Sequence, residues 1–158
     1  MFESAHLDEA DDVMALRDSI AQWLIERGVD QWLRGDFPRH RLRAWIEQVQ
    51  LHVHRRGGEI VATVAVLGDD PAFWSDRRGD AGYIHLLMVD RAHAASGLGD
   101  AAVTYAEQGI RDHGGRLARL DVVASNATLQ CWYEQRGYRP VGTLNGGLSN
   151  RCHAISDP

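Results

Sequence analysis

Apolar residues recur at helical spacing in the first third of the chain. Val13, Leu16, Ile20, Trp23 and Leu24 fall three or four positions apart, the stripe of an amphipathic helix. Asp8 is the expected N-cap, with Glu9, Asp11 and Asp12 placing negative charge in the first turn and Gly28 supplying the stop. A short strand over Met1 to Leu7 is expected before it. Leu42, Trp45, Ile46 and Val49 mark the buried face of a second helix that starts near Pro38, a favoured first-turn residue.

From Val49 the pattern changes. Leu51–His54 and Glu59–Leu67 read as two strands joined at Arg55-Arg56-Gly57-Gly58, a hairpin signal. Gly68-Asp69-Asp70-Pro71 ends the second, and a polar loop runs through Gly82 to a strand over Tyr83–Val89. A helix over Asp100 to His113 closes at Gly114-Gly115, and Leu117–Ala124 is another strand. Asn126–Arg136 is a short helix ended by Gly137, and Tyr138–Leu144 and Leu148–Ile155 make a last hairpin around Asn145-Gly146-Gly147. The order β-α-α-β-β-β-α-β-α-β-β is an α/β layout whose front half is mostly antiparallel. Strands 83–89 and 117–124 flank one helix and are expected to run parallel with a right-handed crossover.

At 158 residues the chain fits a single domain, 1–158. Its net charge of −5 argues against nucleic acid or an anionic membrane as partner, though one small anion in a local nest is compatible with it. Cys131 and Cys152 have neither disulfide-framework nor metal-ligand spacing. With no apolar stretch of membrane-spanning length and no signal-peptide pattern, the expected compartment is the cytoplasm.

Between the 83–89 strand and its helix lies Ala94-Ala95-Ser96-Gly97-Leu98-Gly99. A strand turning through glycines into a helix leaves N–H groups aimed at one spot, where the helix dipole favours a phosphate. The loop lacks the Lys-Ser/Thr ending of a P-loop and has one glycine fewer than the dinucleotide fingerprint. Taken alone it is equally a plain strand–helix turn. A second block follows: Leu120-Asp121-Val122-Val123-Ala124-Ser125-Asn126, then Trp132-Tyr133-Glu134-Gln135-Arg136-Gly137-Tyr138. Asn126 and Tyr133 lie seven apart, about two helical turns, and so on one side of that helix.

Over nearly the whole chain this succession resembles the GNAT N-acetyltransferases. Gly97 and Gly99 occupy the small positions of that family's Q/R-x-x-G-x-G/A acetyl-CoA loop, with Ala94 where Gln or Arg is usual. The second block looks like the family's later strand, asparagine, helical tyrosine and glycine-aromatic turn. The resemblance implies the acyl-CoA N-acyltransferase fold, a central mixed, largely antiparallel twisted sheet flanked by about four helices. It implies acetyl-CoA as co-substrate, no metal, and acetyl transfer to a primary amine of a small molecule or peptide. The backbones of Met88 and Val89 would pair with pantetheine, and the N–H groups of Ala95 to Gly99 would cradle the pyrophosphate. Ala94 and Asn126 would also border the cofactor. The parallel strands would splay near Leu87 and Val123, with an N–H near Met88 facing the carbonyl oxygen. Tyr133 would protonate the leaving sulfur. A homodimer is compatible with the resemblance.

His85 is expected to share a strand face with Tyr83 and Leu87. It is a candidate base because its reference pKa lies near neutrality; a structural histidine or a water-borne proton path are the alternatives. Trp23, Trp32, Trp45 and Trp74, with Glu26, Asp30 and Asp36, are candidates for a cationic-acceptor pocket or else core and surface residues. His52 and His54 alternate on one strand face without a third ligand. Cys131 reads as packing, so no covalent intermediate is expected. The rival to an enzyme is a non-catalytic acyl-CoA-binding module of the same fold; a second rival is an enzyme that takes a longer acyl group or a protein N-terminus.

Overall fold

The computed structural model describes residues 1–74, 79–144 and 148–154. Its strands are β1 (Glu3–Ser4), β2 (Leu51–Arg56), β3 (Glu59–Leu67), β4 (Ala81–Val89), β5 (Leu117–Val123), β6 (Arg139–Leu144) and β7 (Leu148–Ala154). Its helices are α1 (Ala10–Ile25), α2 (Arg39–Glu47), α3 (Leu98–Asp112) and α4 (Ala127–Glu134). The strands form one sheet in the order β1-β2-β3-β4-β5-β7-β6. β4 and β5 run parallel on either side of α3 in the chain, and every other described pair is antiparallel. The mixed sheet and four flanking helices match the expected fold.

Each face of the sheet carries its own core. Val13, Leu16 and Ile20 of α1 and Leu42 and Trp45 of α2 pack on the face that presents Leu51, Val53 and Tyr83. Ala102, Val103, Ala106 and Ile110 of α3 pack on the other, against Val64, Ile84 and Leu120. The small residues on α3 let its backbone lie near the strands, and α4 joins this face through Tyr133.

All four helices end in one hydrogen-bond pattern, with two N–H groups beyond the last turn returning to carbonyls three and five residues back. The turning residue needs a positive φ, which glycine adopts at least cost. Gly28, Gly114 and Gly137 fill it after α1, α3 and α4, whereas after α2 it is Val49, at φ 58°. Val49 is therefore not on the buried face of α2; it lies past the helix end and is 59% exposed.

The first segment also differs from expectation. Asp8 does not cap α1. A 3-10 turn, Leu7–Glu9, precedes the helix. The Glu9 carboxylate turns back to accept the His6 N–H at 2.7 Å and is held there by Arg55 at 2.6 Å. That pairing holds the Glu9 carboxyl below its usual pKa range, chiefly through the Arg55 hydrogen bonds. The first strand shrinks to two residues paired with β2. The turn Asn145-Gly146-Gly147 and Ile155 lie outside the described residues. No helix of the described residues is long and apolar enough to cross a membrane.

Candidate active site

The site begins with a fault in the ladder between β3 and β4. Thr63 pairs with Met88, but Ala65 pairs with His85, so β4 carries one extra residue across Val64. Leu86 takes the strain at φ 42°. Its carbonyl is satisfied by the hydroxyl of fully buried Thr63 at 2.6 Å. The bulge resets the faces of the strand. Tyr83 packs in the α1/α2 core and His85 lies against Trp45 of α2, but Leu87 packs in the α3/α4 core, so His85 and Leu87 do not share a face.

The parallel pairing of β4 and β5 stops at Tyr83 and Arg119. Beyond it the strands part, and a cavity of about 320 Å³ opens between them. Leu87 and Val123, expected at the splay, both line it. Ladder alternation decides which backbone groups face this gap. The Asp90 N–H reaches the Val61 carbonyl at 2.8 Å. Met88, two residues earlier and opposite Thr63, therefore also turns its N–H and C=O toward β3. Val89, opposite Ala62, turns its own toward the gap. Of the two residues expected to offer backbone to a ligand, Val89 has its polar groups on the gap side and Met88 has its own on the β3 side.

On the α1/α2 side, His85 and Asp121 line the gap, and Asp70 stands behind His85. His85 Nε2 lies 2.8 Å from Oδ2 of Asp70, and His85 Nδ1 lies 4.0 Å from Oδ1 of Asp121. Asp70 is 2% exposed, so its carboxylate needs the ring N–H as partner. With the proton on Nε2, the lone pair of Nδ1 points toward Asp121. Burial pushes the Asp121 carboxyl up and nearby Asp70 adds to the rise, opposed by His85 and Arg41. The wall beyond is aromatic, with Trp32, Phe37, Trp45 and Phe73. It also carries Arg17 and Arg41. Arg17 is 3% exposed; its two terminal nitrogens reach Asp36 at 2.5 Å and the Leu33 carbonyl at 3.1 Å, while its buried Nε has no partner.

On the α3/α4 side, the cavity is bounded by Leu129 and Tyr133. Tyr133 is 5% exposed, its ring packed edge-on against Trp132 and Tyr138. Burial, and secondarily the charge of Asp121, raise its phenol pKa, so it holds its proton at neutral pH. Asn126 is the N-cap of α4: its Oδ1 accepts the Leu129 N–H at 3.1 Å, and its Nδ2 donates to Gln31 at 2.8 Å. The asparagine thus ties the helix start to the loop after α1.

The Ala94–Gly99 segment follows a 3-10 turn, Arg91–His93, capped by Asp90. Ala95 and Gly97 have φ of 57° and 79°, on either side of Ser96. Such alternation turns successive N–H groups inward as an anion nest. Ser96 closes the turn by donating its hydroxyl to the His93 carbonyl at 2.6 Å. Gly97 caps α3, so Leu98 and Gly99 belong to the first turn of the helix. Leu98 is buried; a Cβ at Gly99 would lie 3.2 Å from the Trp132 ring. Ala94 is exposed and contributes no polar side chain.

Several residues stand elsewhere than expected. Trp32, Trp45 and Asp36 line the cavity, but the charge of Asp36 is taken by Arg17. Trp23 is stacked between Arg27 and Arg91, and Trp74 packs under Arg119. Trp23, Trp74, Glu26 and Asp30 are not among the cavity residues. His52 meets the Tyr105 hydroxyl at 3.0 Å and His54 the first residue, apart from each other's chemistry. Cys131 is exposed on α4 rather than packed, because it lies opposite Tyr133's buried side of the helix. Asp70 and Asp121 were missed as site residues. Asp70 reads as turn chemistry, while the signal at Asp121 was available: a carboxylate between the buried Leu120 and Val122 of a strand.

Asp70, His85 and Asp121 each bring one oxygen or nitrogen ligand atom within 4.8 Å of the others, a spacing that a cation could bridge. The direct His85–Asp70 hydrogen bond accounts for this closeness without an ion.

Comparison with known proteins agrees with this architecture. The family model described as acetyltransferase (GNAT) family matches residues 17–138. YesJ, an uncharacterised N-acetyltransferase of Bacillus subtilis strain 168, is 34% identical over 150 residues, covering 89% of this chain and 82% of YesJ. A GNAT-family acetyltransferase of Listeria monocytogenes 4b F2365 superposes with a TM-score of 0.80 at 25% identity, over 98% of this chain and 94% of that one. The PaiA N-acetyltransferase of Thermoplasma acidophilum, solved in complex with coenzyme A, shares the fold, with a TM-score of 0.77 at 12% identity over 98% of each chain.

Proposed function

The chain belongs to the GNAT acetyltransferase family, and from that premise we propose that it transfers acetyl from acetyl-CoA to a primary amine by direct attack in a ternary complex. The observation that carries this reading is the gap between β4 and β5, with a proton donor on one side of the sheet and a proton acceptor on the other. Tyr133 borders it from the α3/α4 side and His85 from the α1/α2 side.

The residues fit the co-substrate. The nest at Ala95–Gly97 and the free N–H groups at the start of α3 suit a pyrophosphate. The backbone of Val89 can pair with an amide-bearing arm as an added strand would. Acetyl-CoA supplies an activated thioester carbonyl. The Met88 N–H turns toward β3, so it is not the group that would face the carbonyl oxygen as that oxygen gains charge.

The amine approaches from the α1/α2 side. Nδ1 of His85 takes the proton that the nitrogen loses as the C–N bond forms, and Asp70 holds the ring in the tautomer that leaves this lone pair free. As the C–S bond breaks, the Tyr133 hydroxyl gives its proton to the sulfur. The proton on His85 and the vacancy on Tyr133 then cancel through solvent after product leaves.

The test is thiol release by purified protein with acetyl-CoA over a panel of amines, alongside calorimetry with coenzyme A. Release that depends on an amine is the expected result. Binding of coenzyme A with no release on any amine would favour the non-catalytic module, and no binding would remove the cofactor assignment.

A further inference from the structure

We infer that the acceptor is a small zwitterion: an amino acid whose amine is acetylated while its carboxylate is read by Arg41. This rests on the acetyltransferase reading and concerns the substrate of that same cavity.

The argument is a charge inventory of the α1/α2 wall. Of the two arginines there, the charge of Arg17 is offset by Asp36 at 2.5 Å and Asp18 at 3.8 Å, and only its buried Nε lacks a partner. Asp70 is engaged by His85. The Arg41 side chain has neither a hydrogen bond nor an ion pair to any described residue. Its guanidinium lies over the Trp45 ring at 5.1 Å and lines the cavity. It acts on Asp121 through space without pairing to it. One cation therefore faces the cavity unsatisfied from α2, and the Asp121–His85 pair faces it from the sheet.

A ligand complementary to these walls carries an ammonium or amine toward Asp121 and His85 and an anionic oxygen group toward Arg41. A guanidinium fork matches a carboxylate with two parallel hydrogen bonds, and its position on an aromatic face pre-orients it. The Trp32, Phe37 and Phe73 rings leave room for an apolar side chain. The cavity, about 320 Å³, is at the small end of the roughly 300–1,000 Å³ of ligand sites. A diamine fares worse, because its second cation meets Arg41 with no carboxylate free to offset it.

The test compares kcat/KM for a series of free amino acids, their carboxamides, the matching decarboxylated amines and a diamine, in the full chain with acetyl-CoA. The carboxamide also stands in for a peptide acceptor. The expected preference for the acid is roughly ten- to a hundredfold, the effect of one charge-assisted hydrogen bond. Arg41→Gln should collapse that ratio toward one, and Arg41→Lys, which keeps the charge without the fork, should restore part of it. Equal or better turnover of the amide, amine or diamine by the native protein overturns the inference, as does a ratio unchanged in Arg41→Gln. Transfer to amines without preference removes this inference alone. Failure of every acceptor with a protein that binds coenzyme A removes the acetyl-transfer reading and this one with it.

Discussion

On the α3/α4 side of the sheet the residues are small and apolar, Ala102, Val103 and Ala106 among them, and the features with chemical use are backbone N–H groups and one phenol. On the α1/α2 side, three carboxylates, two arginines and a histidine stand among aromatic rings. The first side is built to let a backbone approach a ligand, so its requirements are for residues that lack bulk. The second recognises by charge, so its requirements are for side chains that find partners, and most of them do. A shared co-substrate and a particular acceptor call for this division. The gap between β4 and β5 is where the two sides meet.

The largest effect that can break this division is at Tyr133. Tyr133→Phe keeps the ring packing and removes the proton, so kcat should fall about a hundredfold or more with little change in coenzyme A affinity. Full turnover in an assay limited by chemistry would leave the α3/α4 side without a catalytic group. His85→Gln should lower kcat by about a hundredfold with little change in coenzyme A affinity. Glutamine is chosen because it still donates to Asp70, whereas alanine would strand a buried carboxylate at a cost of about 3–5 kcal/mol. Full turnover by the glutamine variant in an assay limited by chemistry would remove His85 as base.

A smaller effect is expected at the nest. Gly97→Ala has space in the free protein, but alanine must hold φ 79°, which strains the nest that Gly97 adopts freely. Calorimetry should show coenzyme A binding weakened roughly tenfold, or about 1.4 kcal/mol, with acceptor KM little changed. A loss confined to acceptor KM would mean that the two sides are not separate.

The smallest effect tests the charge on the other side through stability. Burial raises the Asp121 pKa in the folded chain above its unfolded value near 3.9. Its contribution to stability is therefore fully present below that unfolded value and is lost as pH rises through the folded one. Asp121→Asn should melt higher than wild type at pH 7–8, by roughly 2–4 °C if about 1 kcal/mol is relieved. The difference should vanish near pH 4. Higher stability with weaker acceptor binding would mark a charge kept for function; an equal or lower melting temperature at pH 8 would remove the penalty.

The two sides also differ in how far the chain itself disclosed them. The nest, Tyr133 and the strand–helix–strand unit were readable from Gly97, Gly99, Asn126 and Gly137, because backbone conformation and helix ends are local and their residue choices are few. Even there, Asn126 turned out to be a helix cap joined to Gln31, which lies 95 residues away in sequence. Asp70 and His85 are 15 residues apart on different elements, and Asp70 looked like any turn residue.

Hydrophobic spacing, turn glycines and the two short blocks determined the element order, the mixed sheet and the family, since each depends on residues within a few positions of one another. Tertiary structure alone decided the rest. One extra residue at Leu86 turned Leu87 from His85's face, directed the backbone of Val89 rather than Met88 to the gap, and brought α2, the loop after β3 and β5 together around His85. Which charge is answered and which is left open, as at Arg17 and Arg41, depends on distances between segments that no local pattern encodes.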